Sequence, residues 1–194
     1  MTGAILLAGG RATRLGGAVK PLLEVGGRTL FARAVDAVAG CAPVTVVAPV
    51  LDVPDADALT WVREDPPFGG PAAAVVAALA SWRDEAPEWT YVLACDLPGV
   101  AEAVARLADA VALLPADTDG VCLADAASRP QWLTGLYRTA ALREAAAELP
   151  DRGKDAPVRA MTSDLAVAVI AAPPDETEDV DTWDDLERAR RRHG

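Results

Sequence analysis

Lys20 is one of only two lysines among the 18 basic residues of this 194-residue chain, the other being Lys154. A chain that otherwise uses arginine and yet places lysine at position 20 marks a site where a compact point charge does what a planar fork cannot, such as sitting between phosphate groups. Lys20 closes the stretch LLAGGRATRLGGAVKP (residues 6–21), in which Gly9–Gly10 and Gly16–Gly17 flank Arg11 and Arg14. Successive small residues let backbone N–H groups converge on phosphate oxygens, and Arg14 and Lys20 neutralise the charge those oxygens carry. The stretch is neither of two common phosphate motifs. A Walker loop requires Gly-Lys-Ser or Gly-Lys-Thr, and a dinucleotide fingerprint requires Gly-x-Gly-x-x-Gly.

The charge pattern isolates this region. Through residue 35, five basic residues face Glu24 alone, whereas the rest of the chain has 13 basic and 28 acidic residues, for a net charge of −11 overall. An acidic chain of this kind argues against a nucleic-acid partner, which asks for a basic face. We expect Arg28 and Arg33 to lie solvated on a helix, and Arg11, Arg14 and Lys20 to face an anion. Stretches such as 4–8 and 72–80 fall well short of the roughly 18 apolar residues of a membrane span, so no membrane contact is expected. No basic residue precedes the first apolar run, which argues against an export signal. Cys41, Cys95 and Cys122 are odd in number and widely spaced. They are expected to be reduced thiols of a cytoplasmic protein rather than a disulfide framework or zinc knuckle.

The elements that must position these groups follow a strand–helix alternation. Short apolar runs at 3–8, 44–48, 59–63 and 89–95 are of the kind buried parallel strands make, and further strands are expected at 119–123, 131–137 and 165–170. Leu30, Ala34, Val35 and Val38 recur at helical spacing behind a Thr29 cap, with Gly40 as the stop. Pro71 suits the first turn of a second helix whose inner face is Val75, Val76, Leu79 and Trp82. Helices are also expected at 101–113, at 140–149 and after Thr182, with a loop over 171–179. The expected fold is α/β: a single domain over 1–194, with an open, mostly parallel twisted sheet and helices on both faces in a Rossmann-like arrangement. In such sheets ligands lie beyond the carboxyl ends of the strands. Chemistry is therefore sought in residues 9–20, 65–71, 96–98 and 179–181.

Leu7-Ala8-Gly9-Gly10, then Arg14-Leu15-Gly16-Gly17, then Lys20-Pro21-Leu22-Leu23 resemble the signature loop of nucleotidyltransferases that join a nucleoside triphosphate to a phosphorylated acceptor. EDPPFGGP (64–71), LACDLPGV (93–100), RPQWLTGLY (129–137) and DVDTWDDL (179–186) fall in the order and spacing of the molybdenum cofactor guanylyltransferase branch, across essentially the whole chain. The chain departs from that branch at Val19, where an acidic residue is usual, at Ala48–Pro49, and at Asp179 and Asp181, where many members carry Asn. The resemblance implies transfer of GMP from GTP to the phosphate of molybdopterin with release of pyrophosphate, and implies Mg2+ as cofactor. It gives Arg14, Lys20 and Asp96 catalytic roles and Asp96 and Asp181 the metal. Leu7, Ala8, Gly9, Gly10, Lys20, Asp65, Gly70, Pro71 and Asp96 would hold the nucleotide, and Arg129, Gln131 and Trp132 the acceptor. Molybdoenzymes or their chaperones are the implied transient partners. A transferase using CTP or another phosphorylated acceptor is the neighbouring reading; a nucleotide-binding regulatory module without turnover is the reading from another class.

Each of these residues has a structural alternative. Asp96 follows a strong strand and precedes Leu-Pro, as a turn residue would. Thr182 and Asp185 form a capping-box pattern that needs no metal. Asp65 stands where a strand ends, although a carboxylate also matches the N1 and N2 donors of guanine, and backbone groups are the other candidate for reading the base. Arg129 and Trp132 fit a half-exposed strand on a helix as well as an acceptor wall. Lys154 is either incidental or reaches the acceptor. The only histidine, His193, lies at the far end of the sequence. The implied reaction needs no general base, because a phosphate nucleophile with a second pKa near roughly 6 is already mostly ionised at neutral pH.

Overall fold

The computed structural model describes residues 1–10, 15–83 and 87–193. Seven strands form one sheet: β1 (Thr2–Leu7), β4 (Val44–Val47), β5 (Thr60–Val62), β6 (Trp89–Ala94), β7 (Gly120–Ala124), β8 (Pro130–Arg138) and β9 (Val167–Ala171). Two shorter strands, β2 (Glu24–Val25) and β3 (Arg28–Thr29), make a separate hairpin. The large sheet runs β5-β4-β1-β6-β8-β7-β9, with β8 antiparallel to both neighbours and every other pair parallel. Only five residues connect β7 to β8, too few for a parallel crossover, so the chain must turn back on itself there. Asp125 secures that turn by accepting from the N–H groups of Ala127 and Arg129, both at 2.9 Å.

Helices cover both faces. α1 (Leu30–Ala37) and α3 (Val100–Val111) pack on one side, where Phe31, Ala34, Ala103 and Leu107 meet Ala4, Leu6, Val46 and Leu93. α2 (Gly70–Ser81), α4 (Thr139–Ala147) and α5 (Val158–Thr162) pack on the other, where Val75, Ala78, Leu142 and Met161 meet Ile5, Val47, Val92 and Tyr137. Alternate residues of β1 enter opposite cores. This explains why the central strands read as continuous apolar runs rather than alternating ones. Thr29 caps α1 as expected, accepting from the Ala32 N–H at 3.1 Å. Pro71 lies in the first turn of α2, and of the expected inner residues, Val75, Leu79 and Trp82 are buried while Val76 is only partly so.

The structure corrects two readings. Arg28 lies on β3, not on a helix, and Arg33 is a crosslink rather than a solvated charge. Its guanidinium donates to the Val25 carbonyl (2.8 Å) and to those of Pro98 and His193 (both 3.3 Å), joining the hairpin, the loop after β6 and the last helix. The 171–179 segment also contains a one-turn helix, α6 (Pro174–Thr177). Glu176 within it is nearly buried and takes a two-point hydrogen bond from Arg106 of α3, at 2.5 and 2.7 Å. The last helix, α7 (Trp183–His193), packs Leu186 and Ala189 against Val25, Leu30 and Val180 in a third small core.

Candidate active site

The parallel strands all deliver their carboxyl ends to one edge, and the start of antiparallel β8 joins them there. In sheet order that edge presents Arg63–Glu64 after β5, Ala48–Pro49 after β4, Gly9–Gly10 after β1, Asp96 after β6 and Gln131–Trp132 on β8. A cleft of about 870 Å³ opens over the first four of these positions, walled by Leu7 to Gly10, Leu15, Gly17 to Pro21, Ala48, Pro49, Leu51, Arg63, Glu64, Phe68, Cys95, Asp96 and Asp181. Gly16 and Gly17 both have positive φ, 66° and 84°, where a side chain would be strained. The chain turns there and returns through the short 3₁₀ turn Lys20–Leu22, which presents Lys20 to the cleft. Arg11 and Arg14 lie outside the described residues.

Lys20 is the hub. Its Nζ lies 2.7 Å from Asp96 Oδ2 and 2.7 Å from Asp181 Oδ1, in a niche that leaves 17 % of the side chain exposed. Burial alone would favour the neutral amine. The charge of Asp96, with hydrogen bonds to Asp181 and Asp96, outweighs that effect and raises the Lys20 pKa above its usual value. Lys20 therefore stays an ammonium. Residues 76 and 161 positions away in sequence meet it at this point.

Asp181 is delivered by the segment between α6 and α7, which is fastened at both ends. On one side the Val180 N–H donates to the Asp96 carbonyl at 3.1 Å. On the other, the capping box is fully formed: Asp185 Oδ2 accepts from the N–H groups of Asp181 (3.1 Å) and Thr182 (2.6 Å), while the Asp185 N–H donates to Thr182 Oγ1 (3.2 Å). Partial burial works to raise the Asp185 carboxyl, but the hydrogen bonds from Thr182 and Asp181 prevail and hold it below the ordinary range. The cap and the ion pair are compatible, because the cap uses Asp181 only through its backbone. The Asp181 carboxylate remains directed to Lys20.

Sequence reasoning missed a third carboxylate. Oxygens of Asp96, Asp179 and Asp181 lie within 4.8 Å of one another. Oxygens that share one hard cation at about 2.1–2.6 Å can be no more than roughly 5 Å apart, so this set fits a divalent ion. Three carboxylates against one ammonium also leave a local charge of −2. The crowding is visible in Asp179, whose pKa is raised by burial first and then by the charges of Asp96 and Asp181. The signal was present in the Asp-Val-Asp spacing, since i and i+2 of an extended segment share a side.

The other expected residues divide. Leu7, Ala8, Gly9, Gly10, Lys20, Asp96 and Asp181 are brought together in the cleft wall. Asp65 is exposed and outside the wall, and the carboxylate in the wall is its neighbour Glu64. Gly70 and Pro71 open α2 without lining the cleft. Arg129 and Gln131 converge on Asp125, at 2.8 and 3.2 Å, and Trp132 packs partly buried against the α2-side core. All three lie at the carboxyl edge on the far side of Asp96 from the glycine loop, outside the cleft wall. Lys154 is exposed, on the segment whose next residue, Asp155, donates to the Gly69 carbonyl. The three cysteines are free, and Cys95 sits in the wall beside Asp96. Burial, reinforced by the Asp96 charge, pushes its thiol far above the range in which it could act as a nucleophile.

An open, mostly parallel α/β sheet thus carries a glycine turn, a lysine and a carboxylate cluster at its carboxyl edge, the place where sheets of this class bind ligands. The model of the MobA-like NTP transferase domain family matches residues 4–168, and the chain belongs to that family. It is similar to the molybdenum cofactor guanylyltransferase of Rhodopseudomonas palustris, 40% identical over 103 residues that cover 50% of this chain and 49% of that one. It is also similar to the molybdenum cofactor guanylyltransferase of a Bradyrhizobium species, 37% identical over 142 residues, covering 69% and 64%. The match thus spans about half of the first relative and under two thirds of the second. The crystal structure of molybdopterin-guanine dinucleotide biosynthesis protein A from Archaeoglobus fulgidus shares the fold. Its TM-score is 0.67 at 20% identity, with 98% of this chain and 97% of that one covered.

Proposed function

We propose that this protein transfers GMP from GTP to the phosphate of molybdopterin, forming molybdopterin guanine dinucleotide and releasing pyrophosphate. The observation that carries the proposal is the convergence of Lys20, Asp96 and Asp181 beside the glycine turn in a chain of this family. The reaction joins an acceptor phosphate oxygen to the α-phosphorus of GTP as the bond to the β-phosphate oxygen breaks. Both reactants are anions, so positioning and charge neutralisation dominate and acid–base work is minor. His193 lies outside the cleft wall, in keeping with a reaction that needs no base. Backbone N–H groups of the glycine turn, with Arg14 and Lys20, are assigned to the triphosphate. Asp96, Asp181 and Asp179 would hold a divalent cation, which we take as Mg2+; bound there, it supplies charge for the departing pyrophosphate.

Asp96 stands between the two halves of the edge. The nucleotide is assigned to the half from β5 to β1, and molybdopterin to the half from β6 to β7, where Arg129, Gln131 and Trp132 lie. Glu64 in the wall and Asp65 beside it are the carboxylates available to the N1 and N2 donors of guanine. Hand-over of the product to molybdoenzymes or their chaperones, in the cytoplasm, belongs to the same reading. Turnover measured with GTP, CTP, ATP, UTP and ITP, with and without molybdopterin, tests it. Transfer of the nucleotide from GTP alone, dependent on molybdopterin and Mg2+, is the expected outcome. Equal or better transfer from CTP would replace the proposal with the neighbouring cytidylyl reading, and pyrophosphate release independent of molybdopterin would remove the acceptor.

A further inference from the structure

Phe68 is the one aromatic side chain in the cleft wall among the described residues, and 55% of it is exposed. Its backbone is held at φ 65°, a left-handed conformation that is uncommon for a bulky residue, although two glycines follow it directly. Exposing a ring to water and holding it at this φ both cost free energy, and a loop selected only for stability would place glycine at position 68. The turn is nonetheless actively maintained. The Phe68 N–H donates to Glu64 Oε1 at 2.9 Å, and the Arg63 guanidinium carbon lies over the ring at 5.5 Å from its centre. A strained, exposed aromatic braced on two sides in a binding cleft is strain stored at a functional site.

Its place along the sheet edge says what it would meet. Arg63, Glu64 and Phe68 follow β5, while the glycine turn follows β1 and Asp96 follows β6, two and three strands away in the sheet. At about 4.8 Å per strand that is roughly 10–15 Å, the scale of a nucleoside triphosphate with its phosphates at Lys20. Between the ends the wall is apolar, formed by Ala48, Pro49 and Leu51. We infer that the Phe68 ring, backed by the Arg63 guanidinium, is the platform on which the nucleobase stacks. The inference rests on the nucleotide-binding reading above and adds to it the contact that holds the base.

Stacking tolerates any base but requires one, which gives a test with a built-in control. The affinities of the whole chain for GTP and for inorganic tripolyphosphate are measured by calorimetry for the wild type, Phe68→Ala and Phe68→Trp. Phe68→Ala should bind GTP at least about 10-fold more weakly and tripolyphosphate as well as the wild type does, and Phe68→Trp should restore GTP binding. GTP affinity unchanged in Phe68→Ala would overturn the platform, and so would an equal loss of both ligands, which would mean that the turn supports the phosphate end. A wild type that binds tripolyphosphate but not GTP would instead overturn the nucleotide reading itself, and the platform with it.

Discussion

At the scale of single residues, the site depends on the difference between a point charge and a fork. Lys20 Nζ is equidistant, at 2.7 Å, from carboxylates on two different segments. An ammonium can be shared in this way, whereas a guanidinium is larger and its N–H donors point outward from the edges of one plane in a fixed fork, so it would not reproduce both contacts in the same niche. Lys20→Arg, which keeps the charge, is therefore expected to lower turnover at saturating GTP by at least about 10-fold, or roughly 1.4 kcal/mol of transition-state stabilisation. Wild-type turnover in that variant would show that only the charge matters. Position 20 was legible in the sequence because lysine is so scarce there. Glu64 was not legible in place of Asp65, since one residue of register at a strand end decides which carboxylate enters the wall. Arg33 was read as a surface charge because its three carbonyl partners come from segments far apart in the chain.

At the scale of elements, the segment from α6 to α7 carries the second carboxylate and is held by small local devices. The Thr182–Asp185 box satisfies the first N–H groups of α7 and fixes the backbone of Asp181. Asp185→Ala is expected to destabilise the protein by about 1 kcal/mol, the usual worth of a helix cap. It should also lower turnover, because Asp181 is released. Thermal melting and turnover of the same preparation check both effects; a lower melting temperature with full turnover would show that the Asp181 position is not held by the cap. These devices were readable in advance, as were the Thr29 cap and the Pro71 start of α2, because caps depend on residues three or four positions apart. The β2–β3 hairpin and α6 were not. Two-residue strands and a one-turn helix carry almost no periodic signal, and they exist because Val25 packs under α7 and Glu176 meets Arg106.

At the scale of the molecule, the proposed reaction requires two anionic substrates to meet on a chain whose net charge is −11. The fold answers by gathering Lys20 and a cation-sized group of carboxylates at the middle of one sheet edge, with a cleft on one side and the Asp125–Arg129–Gln131 cluster on the other. The alternation of apolar runs and helices points to a mostly parallel sheet, so its carboxyl edge was legible; the strand order and the antiparallel direction of β8 against β6 were not, because they depend on pairings between segments distant in the chain. The depth of the cleft was not, since it depends on loops that the sheet alone does not fix. In the proposed reaction the centre of the chemistry is Asp96. Asparagine there keeps the shape and an oxygen for Lys20 but removes one negative charge, and the hydrogen bond to the Val180 N–H uses only the Asp96 backbone. The direct test is the turnover of Asp96→Asn across a magnesium titration, with melting followed in parallel. The expected result is near-wild-type melting, loss of most turnover at low magnesium and partial recovery at high magnesium. Normal turnover at low magnesium would contradict the claim and reduce Asp96 to a turn residue.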